Sequence, residues 1–253
     1  VKQFEIAEKV INDILDTSSD KIILKKAVLE LAKIYENYFI SKEYELPITK
    51  YIVTNQLLNS QFIKTDNKNS IFLTKAISIY DSLRTFTRND EATYYLAEIK
   101  YRILGDLDGA EKLYTQLTKQ KKSKYYNESI TKIIDISISK GDLNKAMELI
   151  NNYSNNINEE IEYLLKIKTI HVLFYLKKFD ELKIYADEIL KENYKDNVYY
   201  NDVLKISSDI LLLKDNMDVL NKYSESMFKI YQNKRTESIE ILLSQLDSND
   251  QDI

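Results

Sequence analysis

The sequence predicts an all-α protein, an α-solenoid in which antiparallel helix pairs are stacked one on the next. Two observations lead to this fold class. Only 3 Gly and 1 Pro occur among 253 residues, so little interrupts a helix, whereas β-rich and α/β folds need many more turn residues. In addition, a pattern of apolar positions recurs at a fixed spacing of 36 residues, which is typical of helical repeat proteins.

The repeat is clearest around residues 94–117, which predict a helix, a Gly-Asp turn and a second helix. We call the five apolar or small positions of the second helix the template positions. They are Leu107, Ala110, Leu113, Tyr114 and Leu117; then, 36 residues on, Leu143, Ala146, Leu149, Ile150 and Tyr153; and, after a further 36, Phe179, Leu182, Tyr185, Ala186 and Ile189. All five positions match in both later copies.

The turns repeat together with the helices. Gly105 can adopt the left-handed conformation that ends a helix, and Asp106 can cap the helix that follows. Gly141-Asp142 repeats this pair 36 residues later, and Lys177-Lys178 takes its place in the third copy. A glycine is therefore helpful at this turn without being required.

Four further helices are predicted before the central hairpin. The first two cover residues 1–16 and about 21–40, and a third begins near Pro47 and carries Leu57 and Leu58. A loop at 65–69 precedes a fourth helix from Ser70, which carries template-like residues. We expect helix one to pair with two and helix three with four; pairing of two with three is the alternative.

The carboxyl-terminal part predicts a last hairpin and a cap. The hairpin begins near Val198, and its second helix keeps the apolar pattern except at Ser224. A helix over about 236–246 would cap the exposed end of the stack, since each unit contacts only its neighbours. We therefore predict one array over residues 1–246, followed by an acidic tail, 247–253, that we expect to be disordered.

This pattern resembles the tetratricopeptide repeat family, whose units are helix–turn–helix pairs of about 34 residues. The best copy matches the family pattern at Tyr94, Ala97, Tyr101, Gly105, Leu107, Ala110 and Tyr114. It departs from the pattern at Glu98, where a small residue is usual, and at Leu117, where the family has alanine. The resemblance covers roughly residues 20–230, and it implies a right-handed superhelix whose first helices line a concave groove.

The resemblance also implies which residues line that groove. They lie on first-helix positions, where a partner protein or peptide would dock, and include tyrosines and an arginine, which are enriched in binding hot spots. The family's carboxylate clamp is not recognisable, because Ile99 stands where the clamp has asparagine. The predicted groove residues are Tyr95, Ile99, Arg102, Asp135, Lys168, His171, Phe174, Tyr175, Lys205 and Asp209.

The sequence offers little for chemistry. It has no Cys and one His, and His171 has no metal-ligating residue one helical turn away. No phosphate-binding glycine loop or hydrolase motif occurs. The formal net charge of −4 argues against a nucleic-acid partner, and the lysines at 119–124 are expected to be a solvated turn. We therefore predict no catalytic residue, no cofactor and no metal.

These points predict a non-enzymatic interaction scaffold or adaptor that takes up a peptide or helix of a partner protein. The alternative is the repeat domain of a peptide-sensing regulator; an enzyme with an unfamiliar helical site is a third possibility. The richness in Ile, Asn, Lys and Tyr suits an AT-rich, bacterial genome. No run is apolar enough to span a membrane. Since the chain begins at Val1, we expect a further amino-terminal segment, for which a signal peptide or membrane anchor is one candidate. This favours an envelope-associated assembly, with a cytoplasmic location as the alternative.

Overall fold

The part of the chain that the structure describes is all-helical, as predicted. The computed structural model describes residues 2–43, 57–58, 60–63, 65, 67–154, 159–191 and 199–249, and within these ranges it contains twelve α-helices, one π-helical segment and no strand. The helices are α1 (Lys2–Thr17), α2 (Lys21–Glu43), α3 (Ile71–Thr87), α4 (Asp90–Glu98), α5 (Leu107–Leu117), α6 (Tyr126–Lys140), α7 (Leu143–Tyr153), α8 (Glu159–Tyr175), α9 (Phe179–Lys191), α10 (Tyr200–Leu212), α11 (Met217–Tyr231) and α12 (Arg235–Asn249). The π-helical segment, Ile99–Leu104, continues α4.

The chain divides into two compact units. Unit 1 comprises residues 1–50 and 62–130, and unit 2 comprises residues 51–61 and 131–253. In unit 1, α1 packs on α2, α2 on α3, α3 on α4, and α4 on α5. Each of these helices contacts the next one along the chain, which is the packing order that a stack of helical hairpins requires.

The predicted third helix falls largely outside the described residues. Its last two apolar residues, Leu57 and Leu58, form a buried turn instead of a helix. The carboxylate of Asp202 accepts a hydrogen bond from the backbone N–H of Leu57 at 3.1 Å, so this turn belongs to unit 2. Within unit 1, α2 packs on both α1 and α3.

In unit 2 two groups of neighbouring helices pack together, and one further contact joins the groups. Helices α7, α8, α9 and α10 pack in succession, and α11 packs on α12. Helix α11 also packs on α8, from which it is separated by two helices. The right-handed superhelix stays a prediction.

The repeat corresponds to a buried stripe. Ala110 and Ala146, and Leu182 at the equivalent position of the third copy, are all 0% exposed, so this position is buried in every copy. Tyr185 is the template residue that departs most, since it is 38% exposed. The polar mismatch at Ser224 is also buried, and its hydroxyl donates to the Phe174 carbonyl oxygen at 2.6 Å, which offsets the cost of burying it.

The three predicted turns all contain a residue in the left-handed region. The φ angles are 69° at Gly105, 89° at Gly141 and 60° at Lys177. After each of them, the next backbone N–H turns back to a carbonyl of the preceding helix; for Lys178 this is the carbonyl of Leu173, at 3.0 Å. Asp106 then caps α5 by accepting the N–H of Gly109 at 2.9 Å.

Candidate functional site

Of the ten predicted groove residues, four have accessible side chains. Tyr95 and Arg102 belong to unit 1, and Lys205 and Asp209 belong to unit 2. The remaining six are buried: Ile99, Asp135, Lys168, His171, Phe174 and Tyr175. The two units are therefore described in turn.

In unit 1, Tyr95 and Arg102 border a cluster of tyrosines and glutamates. The Tyr95 ring stacks on Tyr80 with centroids 5.7 Å apart, and the Lys33 ammonium lies 5.3 Å from the Tyr95 centroid. Arg102 donates to Glu98 at 3.4 Å. We call this group, with Glu36, Tyr94 and Tyr114, the Tyr95 cluster.

Two carboxyl groups of the Tyr95 cluster receive tyrosine hydroxyls. Tyr80 donates to Glu36 at 2.7 Å, and Tyr114 donates to Glu98. The pKa of Glu36 is raised to about 7, mainly by burial and to a smaller extent by the charge of Glu98, while the Tyr80 hydrogen bond and the Arg102 charge oppose the change. Glu98, which interrupts the family pattern, is thus part of a buried polar network.

Arg102 lies in the π-helical segment Ile99–Leu104, whose backbone groups are hydrogen-bonded as follows. A π-helix has about one residue more per turn than an α-helix. The backbone N–H of Asp106, at the end of the segment, accordingly donates to the carbonyl of Lys100, six residues earlier, at 2.8 Å. The Arg102 carbonyl accepts the backbone N–H of Ile63 at 2.7 Å. The neighbouring loop thus satisfies a carbonyl near the helix end.

In unit 2, helix α11 covers the predicted groove residues of α6 and α8. Tyr231 of α11 donates to Asp135 at 3.0 Å, and the Lys168 ammonium lies 2.5 Å from the same carboxylate oxygen. The ring of Phe228 lies 4.8 Å from that of Tyr175. The chain's own helix therefore occupies the position where the resemblance implies a partner.

His171 lies in the middle of this contact. It is 0% exposed, its ring is 4.7 Å from that of Tyr231 and 4.8 Å from that of Tyr175, and neither ring nitrogen has a hydrogen-bond partner among the described residues. Burial lowers its pKa well below the usual value, and the Lys168 charge adds to this effect. His171 is therefore a neutral core residue that no partner can reach in this arrangement.

Lys205 and Asp209 lie one turn apart on α10. Their charged groups are 3.5 Å apart, and Tyr223 donates to Asp209 at 3.3 Å. An exposed pair of this kind on one helix contributes little to stability. Of the two, Lys205 is the more exposed to a partner, with 45% of its side chain accessible against 20% for Asp209.

The sequence reasoning missed a surface groove of unit 1 that is lined by aromatic residues of α1, α2 and α3. Its centre is the ring pair Tyr38–Phe72, with centroids 4.3 Å apart, and Phe4 stands edge-on to Tyr38 at 5.1 Å. This pair borders two cavities, of about 370 and 200 Å³. We call the two cavities together the aromatic groove, with a first and a second compartment.

The compartments differ in their polar lining. In the first, which also contains Phe39, the polar lining residues are Lys42, Asn67, Asn69 and Ser70. In the second, which contains Phe4 and Tyr35, they are Glu5 and Glu8 together with the tyrosine hydroxyls. The groove therefore combines an aromatic centre with a basic compartment and an acidic compartment.

One carboxylate of the acidic compartment, that of Glu8, already has a hydrogen-bond partner within the chain. Tyr35 donates to Glu8 at 2.6 Å, and burial together with this hydrogen bond raises the pKa of Tyr35 to about 12. The Lys75 ammonium lies 3.5 Å from the Tyr35 hydroxyl and 4.7 Å from its ring centroid. Glu5 is exposed at the rim of the same compartment.

A weak sequence signal for the groove exists. Tyr38 and Phe72 are aromatic residues that do not fall on template positions, so the repeat gives them no core role. Their meeting depends on the packing of α2 against α3, across the part of the chain where the sequence predicted a third helix. The repeat pattern therefore could not bring them together.

Comparisons with family models, with curated proteins and with solved structures return no match to this chain. The resemblance to tetratricopeptide repeats thus rests on the residues quoted above. Among the described helices, none has the length and apolar character needed to cross a membrane. The same described residues contain no group of three or more His, Asp or Glu side chains that could hold a metal ion.

Proposed function

We propose that this protein is an interaction module that binds a peptide or helix of a partner protein, with no catalytic role of its own. The observation that carries the proposal is the aromatic groove of unit 1. Aromatic side chains contribute much of the binding energy in protein interfaces, because they bury a large area at a small cost in conformational entropy. Here Phe4, Tyr38 and Phe72 are partly exposed at the surface.

The dimensions of the groove support a peptide ligand. A cavity of about 370 Å³ beside another of about 200 Å³ is large enough for several side chains of an extended segment or of one helix face. The Tyr38–Phe72 pair lies between them, so one apolar side chain of the ligand can pack there while its neighbours occupy the two compartments.

Accessible residues of the Tyr95 cluster provide a second contact region of unit 1. Arg102 has a side chain that is 41% exposed, and Tyr95 is half-buried beside it. A tyrosine next to an arginine has the composition of a binding hot spot. The envelope-associated scaffold and the peptide-sensing regulator share this use of the surface, and the aromatic groove favours neither.

The test is a selection of peptides from a displayed random library against the full chain, followed by affinity measurement with two phenylalanine variants. We expect Phe72→Ala to weaken the selected peptides at least about tenfold, since a buried aromatic anchor is worth 1–2 kcal/mol or more. Phe86→Ala is the matched control: it removes an 84% exposed ring at the other end of α3, outside the aromatic groove.

Circular dichroism would verify that both variants fold, and Phe72→Leu would provide a less disruptive replacement of the ring. Peptides that bind Phe72→Ala, Phe72→Leu and Phe86→Ala as tightly as the wild type would show that the groove is not the binding site. A chain from which no specific peptide is recovered would contradict the proposed function itself.

A further inference from the structure

The polar residues of the aromatic groove are arranged by charge. In the first compartment the ionisable lining residue is Lys42, whose ammonium lies 5.9 Å from the Tyr38 ring centroid and has no carboxylate partner among the described residues. A cation held over an aromatic face keeps most of its charge available to a ligand. The first compartment therefore attracts a negatively charged group.

The amino terminus of α3 opens into the same compartment. Ser70 occupies the N-cap position without making a side-chain cap bond, and α3 has no acidic residue in its first turn. The first amides of a helix have no partner within the helix, and they carry a partial positive charge. An acceptor supplied from outside would satisfy them.

Ser70 itself points to such a ligand. It lines the compartment, and its side chain makes no cap bond to the backbone of α3. Its hydroxyl can donate to an acceptor that enters the compartment. The exposed Asn69 side chain adds a further donor at the rim.

The second compartment has the opposite character. Glu5 and Glu8 lie one turn apart on α1, and both line it. Tyr35 and Lys75 compensate part of the Glu8 charge, as described above, while Glu5 is exposed. The charged groups at this compartment are thus two carboxylates and one ammonium, with a net negative charge.

We propose that the aromatic groove recognises an internal segment of a partner protein with a defined order of side chains. An acidic side chain enters the first compartment, an aromatic or branched apolar side chain packs on the Tyr38–Phe72 pair, and a basic side chain reaches Glu5 and Glu8. The first compartment offers one lysine ammonium and neutral hydrogen-bond donors, which together suit one carboxylate of the ligand. The two compartments share the Tyr38–Phe72 pair, so the ligand chain continues on both sides of its anchor.

This inference rests on the proposed function, and its experiment uses peptides selected as above whose binding is lost in Phe72→Ala and kept in Phe86→Ala. We expect these peptides to be enriched in Asp or Glu on one side of an apolar anchor and in Lys or Arg on the other. Lys42→Glu, an exposed substitution, should weaken them about tenfold at low salt, because it places like charges together.

The decisive experiment exchanges the charge at position 42 of the protein with that of the acidic residue of the peptide. Replacing the acidic residue of a selected peptide by lysine should restore most of its affinity for Lys42→Glu while weakening it for the wild type. Lys121→Glu is the matched control, since it makes the same change in net charge in the exposed turn between α5 and α6, outside the lining of the groove.

The outcomes separate the two proposals. Groove-dependent peptides that lack acidic residues, that end their chain in the first compartment as a free carboxylate, or that bind Lys42→Glu unchanged would overturn the charge order while leaving the groove as a binding site. Selection of no groove-dependent peptide would overturn both.

Discussion

The carboxyl group of Glu36 is the clearest case of a side chain whose charge conflicts with its surroundings. It lies between Tyr80, which donates a hydrogen bond to it, and the Glu98 carboxylate, which repels it. Burial is the main reason that its pKa is raised to about 7, from an ordinary value of 4.5. At a pH above both pKa values, a pKa shift of this size lowers the free energy of unfolding by about 3 kcal/mol.

The sign of the effect follows from proton binding. Between about pH 4.5 and pH 7 the folded chain keeps the Glu36 proton while the unfolded chain loses it, so the free energy of unfolding falls as the pH rises through this window. Glu36→Gln keeps an acceptor for Tyr80 and removes the charge. We expect this variant to be about 1–3 kcal/mol more stable than the wild type at pH 8, and similar to it at pH 5.

Urea unfolding of both proteins at the two pH values measures this difference. Glu148→Gln, which neutralises an exposed carboxylate, is the control and should shift stability by less than about 0.5 kcal/mol at either pH. Equal stabilisation by Glu36→Gln at pH 5 and pH 8 would mean that a change in packing, and not the charge, is responsible.

Single residues also show where sequence reasoning stops. The repeat predicted the burial of Ala76, Ala110 and Ala146, because a small side chain that recurs in successive copies marks a close approach of helices. The resemblance to tetratricopeptide repeats implied that His171 and Phe174 face a partner, whereas both are 0% exposed. Their positions on α8 followed from a period, but their burial depends on a helix about fifty residues further along the chain.

At the scale of elements, that helix is α11. Its contact with α8 skips two helices, and Ser224 donates a hydrogen bond across it to the Phe174 carbonyl. Gln232, just after α11, donates to the Ser139 carbonyl of α6. A repeat in which each unit contacts only its neighbours does not predict such a contact. Ser224 was visible in the sequence as a polar mismatch, and the structure explains it as the group that binds a backbone carbonyl across this contact.

The turns between helices were predicted more fully, because their chemistry is local. Lys177 occupies the place of Gly105 and Gly141, and it takes the same left-handed conformation with a φ of 60°. For a residue with a Cβ atom this conformation costs roughly 1–2 kcal/mol. The surrounding helices impose this conformation on Lys177, so the turn that recurs every 36 residues does not require glycine.

Replacing Lys177 by glycine should therefore stabilise the chain by about 1 kcal/mol, the relief of strain being reduced by the entropy of glycine in the unfolded state. The lost Lys177–Glu225 pair is well exposed and weighs little. Gly105→Ala is the reciprocal change. Since an added Cβ at Gly105 meets no atom within 4 Å, its expected cost of about 1 kcal/mol comes from the backbone conformation alone.

Thermal and urea unfolding of both variants test this pair of effects. Lys183→Gly, at an exposed position inside α9, is the control and should destabilise by about 1 kcal/mol, since its backbone is helical. A loss of stability in Lys177→Gly comparable to that in Lys183→Gly would show that the left-handed turn is not strained.

At the scale of the whole molecule, the two units each have a core built on the same template. Ala110 of α5 lies in unit 1 and Ala186 of α9 in unit 2, and both are fully buried. Ala110 and Ala186 are the second and the fourth template positions of their copies, so the template predicted burial at both, but the apolar period contains no sign of where one compact unit ends and the next begins. That division depends on which helices meet in space.

A tryptophan at either alanine should overpack the core in which it lies. We expect Ala110→Trp and Ala186→Trp each to destabilise the chain by about 1–3 kcal/mol or more, because neither site has space for the added ring. Hydrogen–deuterium exchange should show the effect to be local: Ala110→Trp should speed exchange of amides in α3, α4 and α5, and Ala186→Trp that of amides in α8, α9 and α10, since local opening follows the packing of each unit.

Thr115→Trp is the matched control for the first variant, because Thr115 is an exposed residue of the same helix and can take a large side chain without displacing its neighbours. Unchanged melting of Ala110→Trp would contradict the assigned register, and a uniform increase in exchange across both units would contradict separate cores. If the exchange is local in both variants, template positions form part of the core in each unit, as the repeat predicts.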